Sequence, residues 1–172
     1  LIGGQPLSME NMIEVANVCR EHGIMSVLDA SLLQDNLYFI KTREEAAKDM
    51  SIMEITHKIA DAIDLIYFSS RKLGFSRGGG IVSNNEDLIL KMKQYIPLYE
   101  GFLTYGGMEV RAMEAMAVGL LETMDFEIIN QGPLFIEYLV KELDEYGVPM
   151  VKPAGGLGAH INASEFLPNI PH

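Results

Sequence analysis

The amino-acid sequence predicts an α/β fold with a mostly parallel sheet, because apolar strand patterns alternate with helical patterns along the chain. Residues 24–28 and 62–68 are short apolar runs with β-branched members, a composition typical of buried strands. A third strand is predicted over 81–83, after the run Gly78-Gly79-Gly80. Between the first two runs, apolar residues occur at helical spacing, which predicts a helix in the crossover that parallel strands require.

Helix signals separate the predicted strands. Ser8 is an N-cap residue for a helix over 9–22, and Gly23 is its stop signal. A second helix is predicted from Ile52 onward, after Ser51. Three later stretches also carry helical patterns: from Asn85 to near Pro97, over 110–124, and over 125–146 with a bend near Gly132-Pro133.

A domain boundary is predicted at Gly147, which breaks the last long helix. Two short strands are expected beyond it, over 150–152 and 159–162. We therefore assign residues 1–147 to a large domain and 148–172 to the beginning of a small α+β domain. Because the first residue is Leu1 and not methionine, we expect the sequence to start inside a longer protein.

Composition and charge exclude several classes of protein. The 172 residues are 48% hydrophobic and 22% charged, as in globular proteins and unlike disordered or fibrous ones. Acidic residues outnumber basic ones by 24 to 13, which argues against nucleic-acid or anionic-membrane partners. A single cysteine, Cys19, fits a reducing compartment, and neither a membrane span nor a secretory signal is visible. We expect a cytoplasmic protein.

Polar residues follow two of the predicted strands and form a candidate site. Asp29 ends the first strand, and Ser69-Ser70-Arg71-Lys72 follows the second. Ligands of such sheets bind at the carboxyl ends of the strands. A carboxylate and a lysine placed there suit pyridoxal phosphate, because lysine binds its aldehyde carbon and the carboxylate pairs with its pyridine nitrogen. Arg71 is a neighbouring cation, and both serines offer hydroxyl and backbone N–H groups to a phosphate.

Taken singly, these residues have ordinary explanations. An aspartate at a strand end is most often a helix cap or loop residue. A lysine after a strand is most often a solvated surface residue, since buried lysines are rare. The Gly78-Gly79-Gly80 run is most often a flexible turn, and no phosphate-loop pattern occurs in the sequence.

Longer motifs favour the cofactor site, and they occur in order along nearly the whole chain. They are Gly3-Gly4-Gln5-Pro6-Leu7-Ser8-Met9, Asp29-Ala30-Ser31, Asp35-Asn36-Leu37-Tyr38-Phe39-Ile40-Lys41, Ser69-Ser70-Arg71-Lys72, Tyr99-Glu100-Gly101, Thr104-Tyr105-Gly106-Gly107, Met113-Glu114-Ala115-Met116-Ala117-Val118-Gly119-Leu120, Gly147-Val148-Pro149 and Pro153-Ala154-Gly155-Gly156. In these motifs the chain resembles the aromatic amino-acid β-eliminating lyases, the family of tryptophanase and tyrosine phenol-lyase.

The resemblance implies a fold and an architecture. The fold is the aspartate aminotransferase-like fold type I of pyridoxal phosphate enzymes, with residues 1–147 forming the C-terminal part of the cofactor-binding large domain. It also implies a homo-oligomer, a tetramer in this family. Further segments are implied beyond both ends: an upstream phosphate clasp and a downstream arginine for the substrate carboxylate. We therefore expect the isolated chain not to catalyse elimination.

The resemblance implies roles for five residues. Lys72 takes the place of the lysine that binds pyridoxal phosphate, and Asp29 matches the aspartate that pairs with the pyridine nitrogen. Ser69 matches a serine near the cofactor phosphate, and Arg71 takes the position of the first lysine of a basic pair that helps order the site. Tyr105 lies in a segment that approaches the active site across a subunit interface; a packed interface tyrosine is an equal alternative.

Three positions depart from the family pattern. Leu32 stands where the family has an arginine on the phenolic-oxygen side of the cofactor, and leucine donates no hydrogen bond. Leu157 stands where the family has a histidine, and His160 does not occupy the same place. Arg77 stands where the family backbone helps hold a monovalent cation, so K⁺ binding stays open. No other metal site is expected.

The resemblance implies β-elimination of an aromatic L-amino acid, tryptophan or tyrosine, to pyruvate, ammonia and indole or phenol. Two alternatives remain at this point. The same cofactor supports other reactions, such as aldol cleavage or transamination, and the fold alone does not distinguish them. The departures at Leu32 and Leu157 are also compatible with an inactive structural or interaction module of the same fold.

Overall fold

The computed structural model describes residues 4–170, an α/β structure with a three-stranded sheet. Gly3, the first residue of the Gly-Gly-Gln-Pro motif, lies outside these residues. The strands are β1 (Val27–Asp29), β2 (Leu65–Ser69) and β3 (Gly79–Val82). The helices are α1 (Met9–Glu21), α2 (Leu33–Arg43), α3 (Ile52–Ala62), α4 (Glu86–Lys93), α5 (Ile96–Tyr99), α6 (Val110–Glu122), α7 (Phe126–Ile129), α8 (Gln131–Glu145) and α9 (Ala163–Phe166).

The sheet is mixed, so the prediction of a mostly parallel sheet is only half right. β1 and β2 are parallel neighbours, as predicted, and α2 and α3 lie in the crossover between them. β3 is antiparallel to β2. The connection over residues 70–78 is shorter than the dozen or so residues that a parallel crossover needs, so the chain can only turn back.

The first strand is less buried than its apolar sequence predicts. Ile24 and Met25 are exposed and precede β1, and Val27 is 49% exposed. β1 is an edge strand, and side chains alternate between the two faces of a sheet. Leu28 packs against the helical core, whereas Val27 and Asp29 lie on the opposite face, which is open in the described part of the chain.

The hydrophobic core lies among α1, α2 and α3. Helix α2 was not predicted from the sequence, yet it has more buried residues than α1 or α3, among them Leu37, Phe39 and Ile40. Tyr38 is also buried, so four consecutive residues of this helix are covered by neighbours. The polar residues of this helix lie toward its two ends and these four buried residues are consecutive, so its sequence lacks the spacing of three to four residues by which surface helices are recognised.

Helices α1 and α3 begin where the sequence predicts, and a serine caps each of them. The Ser8 hydroxyl accepts a hydrogen bond from the backbone N–H of Asn11 at the start of α1. At α3, Ser51 accepts from the N–H of Glu54 (3.2 Å), and the Glu54 carboxylate accepts from the N–H of Ser51 (2.7 Å). This reciprocal pair is a capping box, which satisfies two otherwise unpaired N–H groups.

The C-terminal part of the chain differs from the prediction in two places. The helix over 125–146 is interrupted at Asn130, because Pro133 belongs to the first turn of α8, where a missing N–H costs nothing. The two expected strands reduce to one antiparallel bridge between Met150 and Ile161. Pro149 and Pro153 flank Met150, and proline cannot donate to a strand ladder.

Residues 153–156 pack against the rest of the structure. The Gln5 side chain donates to the carbonyl oxygen of Pro153 (2.7 Å), and Arg43 donates to that of Ala154 (3.3 Å). Gly156 lies against Asp35, leaving no room for a Cβ atom. The boundary at residue 147 stays a prediction. No helix within residues 4–170 is long and apolar enough to cross a membrane.

Removing the capping box at α3 should destabilise the fold. We expect Ser51→Ala in the full-length protein to lower the free energy of unfolding by about 1 kcal/mol, because the N–H groups at the helix start lose their partner. Glu54→Gln is the matched control, since glutamine at this position can still accept from Ser51. Denaturant unfolding measures both variants. Equal stability of Ser51→Ala and the parent protein would contradict the assignment.

Candidate active site

The candidate site lies at one edge of the sheet, where β1 and β2 end. In the parallel register of the two strands Asp29 is the partner of Tyr67, and the backbone N–H of Ala30 donates to the Tyr67 carbonyl oxygen (2.8 Å). Ser69 ends β2 two residues later. The structure thus brings the segments that begin at Asp29 and Ser69 to the same sheet edge.

The Asp29 carboxylate is held by hydrogen bonds from its surroundings. The backbone N–H of Ser31 donates to its Oδ1 atom (3.0 Å). Hydrogen bonds from the Ser31 side chain and backbone are the main causes that lower the pKa of Asp29, with smaller contributions from the Tyr67 phenol and the positive charge of Lys72. Asp29 is therefore ionised at neutral pH.

Ser31 connects Asp29 to the strand that precedes Lys72. Its hydroxyl oxygen accepts a hydrogen bond from the backbone N–H of Ser69 (3.2 Å). A serine hydroxyl carries a single proton, and this contact leaves that proton available for the Asp29 carboxylate. The two strand ends are consequently linked through one side chain.

Lys72 lies in a tight turn immediately after β2. The backbone N–H groups of Lys72 and Leu73 both donate to the Ser69 carbonyl oxygen (3.2 and 3.1 Å). Lys72 is half-buried and Arg71 is exposed. Within residues 4–170 the Lys72 amine has no ion-pair partner. Its positive charge acts on the Asp29 carboxylate, whose pKa it helps to lower.

Helix α6 braces the loop that carries Lys72. A Cβ atom at Gly119 would overlap the carbonyl oxygen of Gly74, so the helix backbone touches the loop backbone. The Ser70 hydroxyl contacts the Met116 sulfur (2.7 Å), and the Ser76 hydroxyl donates to the Ala112 carbonyl oxygen (2.8 Å). Three successive turns of α6 therefore hold residues 70–76 in place.

The structure corrects the expected phosphate contacts. Ser70 cannot offer groups to a phosphate, because it is fully buried, its N–H donates to the Gly78 carbonyl oxygen (2.9 Å) and its hydroxyl faces Met116. Ser69 is half-buried, and its N–H is already used by Ser31. Only the Ser69 hydroxyl remains for a ligand, since no group within the described residues is hydrogen-bonded to it.

Other residues singled out from the sequence make no hydrogen bond to this cluster within the described residues. Tyr105 is 39% exposed and its ring packs edge-on against Phe102 (5.9 Å between centroids). Arg77 is exposed in the turn before β3, and K⁺ binding there stays a prediction. Leu32 is the half-buried residue before α2, and Leu157 is 59% exposed.

An apolar cavity of about 500 Å³ lies on the other face of the sheet, between β2, α3 and α6. Ile66 and Phe68 project into it, and Leu73, directly after Lys72, lines it as well. The cavity therefore lies next to the loop that carries Lys72, but neither Arg71 nor Lys72 lines it.

Tyr67 and Ser31 are the site residues to which the sequence alone assigned no role. Tyr67 is a β2 residue within an apolar run, and only the strand register places it beside Asp29. Ser31 belongs to the Asp-Ala-Ser motif, and its position two residues after an aspartate is a signal for such a hydrogen bond.

Comparison with known proteins shows the family. The family model described as "Beta-eliminating lyase" matches residues 1–166, and the chain belongs to this family. The recognition of the family from the sequence motifs is thereby confirmed.

Curated relatives match over almost the whole chain. It is 41% identical over 172 residues to a tyrosine phenol-lyase of Fusobacterium nucleatum, covering 99% of this chain and 37% of the relative. It is 42% identical over 171 residues to the tyrosine phenol-lyase of Lacrimispora saccharolytica (99% and 36%). It is 39% identical over 170 residues to the tryptophanase of Hyphomonas neptunium (98% and 37%). The chain therefore spans little more than a third of the length of these relatives.

Solved structures confirm the fold class predicted from the sequence. A Listeria monocytogenes protein provisionally described as an L-allo-threonine aldolase superposes with a TM-score of 0.65 at 21% identity, over 91% of this chain and 39% of that one. An Exiguobacterium protein provisionally described as an aromatic amino acid beta-eliminating lyase/threonine aldolase gives 0.65 at 20% identity, over 91% and 40%. At this identity the likeness concerns the fold: α/β with a mixed sheet, of fold type I.

A side chain at the contact between α6 and the loop should disturb the site. We expect Gly119→Ala to lower the free energy of unfolding of the full-length protein by about 1–3 kcal/mol, because the new methyl group overlaps the Gly74 carbonyl.

Gly132→Ala is the matched control for this helix-to-loop contact. A Cβ atom at Gly132 meets only the Asp35 carboxylate, at an ordinary 3.7 Å, so we expect no loss and up to about 1 kcal/mol of gain. Thermal unfolding compares the two variants. Equal stability would mean that α6 does not touch the loop as described.

Proposed function

We propose that the protein carrying this chain is a pyridoxal phosphate-dependent lyase that eliminates the side chain of an aromatic L-amino acid, tyrosine or tryptophan. The products are pyruvate, ammonia and phenol or indole. The observation that carries the proposal is that an ionised carboxylate, Asp29, and a lysine, Lys72, lie at the same sheet edge. Family membership and relatives named for such reactions support it.

The described residues fit the cofactor. Pyridoxal phosphate supplies an electron sink when its pyridine nitrogen is protonated. Asp29 suits that nitrogen because its hydrogen bonds keep it ionised, and an ionised carboxylate favours a protonated partner. Lys72 suits the aldehyde end because its amine has no competing ion pair among residues 4–170.

Two residues have assigned chemical tasks in this proposal. The Lys72 amine anchors the cofactor and, once substrate is bound, accepts the proton from the substrate Cα atom. The Asp29 carboxylate holds the proton of the ring nitrogen in place. The brace between α6 and the loop limits the movement of the backbone from which the Lys72 side chain extends, which favours a defined position of the amine.

Ser69 and Arg71 are proposed to contact the cofactor phosphate. The Ser69 hydroxyl is free of partners within the described residues, and Arg71 is exposed beside it with no ion pair there. An arginine guanidinium matches the geometry of a phosphate well. We propose that further phosphate contacts and an arginine for the substrate carboxylate come from other segments, since the chain spans only 37% of the length of its Fusobacterium relative.

The segment 99–107 is proposed to form a subunit contact in a homo-oligomer, with Tyr105 near the active site of the partner subunit. Its aromatic and aliphatic side chains are largely exposed in this chain, among them Tyr99 (72%) and Phe102 (71%). Exposed aromatic clusters of this kind are typical of interfaces.

Substitution of Lys72 tests the reaction directly. We expect Lys72→Ala in the full-length protein to reduce pyruvate formation from tyrosine and tryptophan to background, because alanine has no amine to bind the cofactor or to accept the Cα proton. Lys58→Ala is the control, an exposed lysine on α3 outside the site. Borohydride reduction with pyridoxal phosphate, followed by peptide mass mapping, should label Lys72 alone.

The products distinguish the proposed reaction from its alternatives. Glycine and an aldehyde from threonine would indicate aldol cleavage, and a 2-oxo acid that keeps the aromatic side chain would indicate transamination. A protein that takes no label at Lys72 and turns over none of these substrates would be the inactive module.

Substitution of Asp29 tests its electrostatic role. Asp29→Asn keeps the shape of the side chain and removes its charge, so we expect kcat/KM to fall by about 10²–10³-fold.

Because the folded-state pKa of Asp29 is lowered, its charge persists at neutral pH and is lost only as pH falls below the ordinary aspartate range. The stability difference between parent and variant should therefore be constant near pH 7 and shrink only in acid.

A charge in the 99–107 segment should weaken assembly. We expect Phe102→Asp to lower the subunit number measured by analytical ultracentrifugation, because a buried aspartate has no partner in an apolar contact. Phe135→Asp is the control, at the same 71% exposure on α8. An unchanged assembly with Phe102→Asp would place the interface elsewhere.

A further inference from the structure

We infer that Tyr67 is a positioning residue for Asp29: its phenol hydroxyl donates to the Asp29 carboxylate and fixes the orientation in which that carboxylate meets the cofactor ring. That the ring belongs to pyridoxal phosphate rests on the proposed function. The juxtaposition of the two residues does not depend on it, because it follows from the pairing of β1 with β2.

Strand register is the first argument. Asp29 and Tyr67 are direct cross-strand partners, and directly opposed residues of a sheet carry their side chains on the same face. Ile81 of β3 is the partner of Tyr67 on the other side, so the phenol stands between Asp29 and Ile81. Only Asp29 of these two neighbours can accept a hydrogen bond.

Exposure is the second argument. Tyr67 is 42% exposed, whereas the β2 residue Leu65, on the same face, is buried. The open face around Tyr67 lies away from the helical core and from the apolar cavity. Core packing therefore does not explain why residue 67 is a tyrosine and not a phenylalanine, since the two differ only in the phenol hydroxyl.

Counting hydrogen bonds gives the third argument. An ionised carboxylate has about four acceptor positions. The Ser31 N–H occupies one of them. The Ser31 hydroxyl and the Tyr67 phenol, which both act on the pKa of Asp29, are placed to take two more. The remaining position suits one further donor, and a protonated ring nitrogen is such a donor. Tyr67 and Ser31 thus leave Asp29 with a single open direction.

The titration of the two groups agrees with this contact. The hydrogen bond to Asp29 raises the pKa of the Tyr67 phenol, with burial and the negative charge of Asp29 adding to it. The Tyr67 bond in turn lowers the pKa of Asp29, after the two contributions of Ser31. Lys72, in the loop after β2, is the other charged group that acts on Asp29.

The first experiment measures the contact in the full-length protein without cofactor. Carboxyl ¹³C NMR follows Asp29 through a pH titration, with its signal identified by its loss in Asp29→Asn. We expect Tyr67→Phe to raise the pKa of Asp29, and Tyr146→Phe, at an 85% exposed position, to leave it unchanged. In the reverse direction, Asp29→Asn should lower the pKa of Tyr67 in an ultraviolet titration.

The second experiment measures the consequence for cofactor binding. We expect Tyr67→Phe to weaken the binding of pyridoxal phosphate to the apoprotein by about 2- to 10-fold, the range for one lost hydrogen bond. Tyr146→Phe should bind as the parent does.

The outcomes separate the two levels of the proposal. An Asp29 pKa that is the same in Tyr67→Phe and the parent overturns the positioning role, whatever the cofactor. If Tyr67→Phe shifts the pKa of Asp29 but leaves cofactor binding unchanged, the positioning role is overturned as well, because the hydrogen bond would then have no effect on the contact between Asp29 and the ring. A shifted pKa in a parent protein that binds no pyridoxal phosphate upholds the contact and refutes the proposed function.

Discussion

Parallel pairing of β1 with β2 is the constraint on which the rest of the site depends. Its register sets Asp29 opposite Tyr67 and brings the Ser69–Lys72 turn to the same sheet edge. A shift of one residue would carry Asp29 to the helical face, where its charge would be buried without a partner. The hydrogen bond from Ser69 to Ser31 crosses between the two strand ends and stabilises this register directly at the site.

Burial of α2 maintains that pairing from one side. Leu37, Phe39 and Ile40 are nearly inaccessible to solvent, and fully burying side chains of this size stabilises a fold by roughly 1.5–3 kcal/mol each. Helix α2 begins four residues after Asp29, so its position also determines the path of the Asp-Ala-Ser turn. In the same way, the contact of α6 at Gly119 determines the path of the loop after β2, which carries Lys72. Both chemically important groups thus lie on short segments anchored at each end.

Much of the fold was accessible from the sequence, and the failures have definite causes. The caps at Ser8 and Ser51 act locally, so the starts of α1 and α3 could be predicted from neighbouring residues. Helix α2 was missed because its buried apolar residues are consecutive, from Leu37 to Ile40, and do not recur at helical spacing. The direction of β3 was missed because it depends on the length of the connection over 70–78, not on the apolar composition of the strand.

The candidate site divides in the same way between sequence and structure. By itself the sequence determined the family, the likeness of Asp29 and Lys72 to the family's cofactor residues and the local Asp-Ala-Ser turn, because each depends on residue identity or on contacts within a few positions. Only the tertiary structure decided that Ser70 is buried against Met116 and that Tyr67 stands beside Asp29. These contacts join residues far apart in the chain, and they arise from strand register and helix packing, which no local pattern encodes.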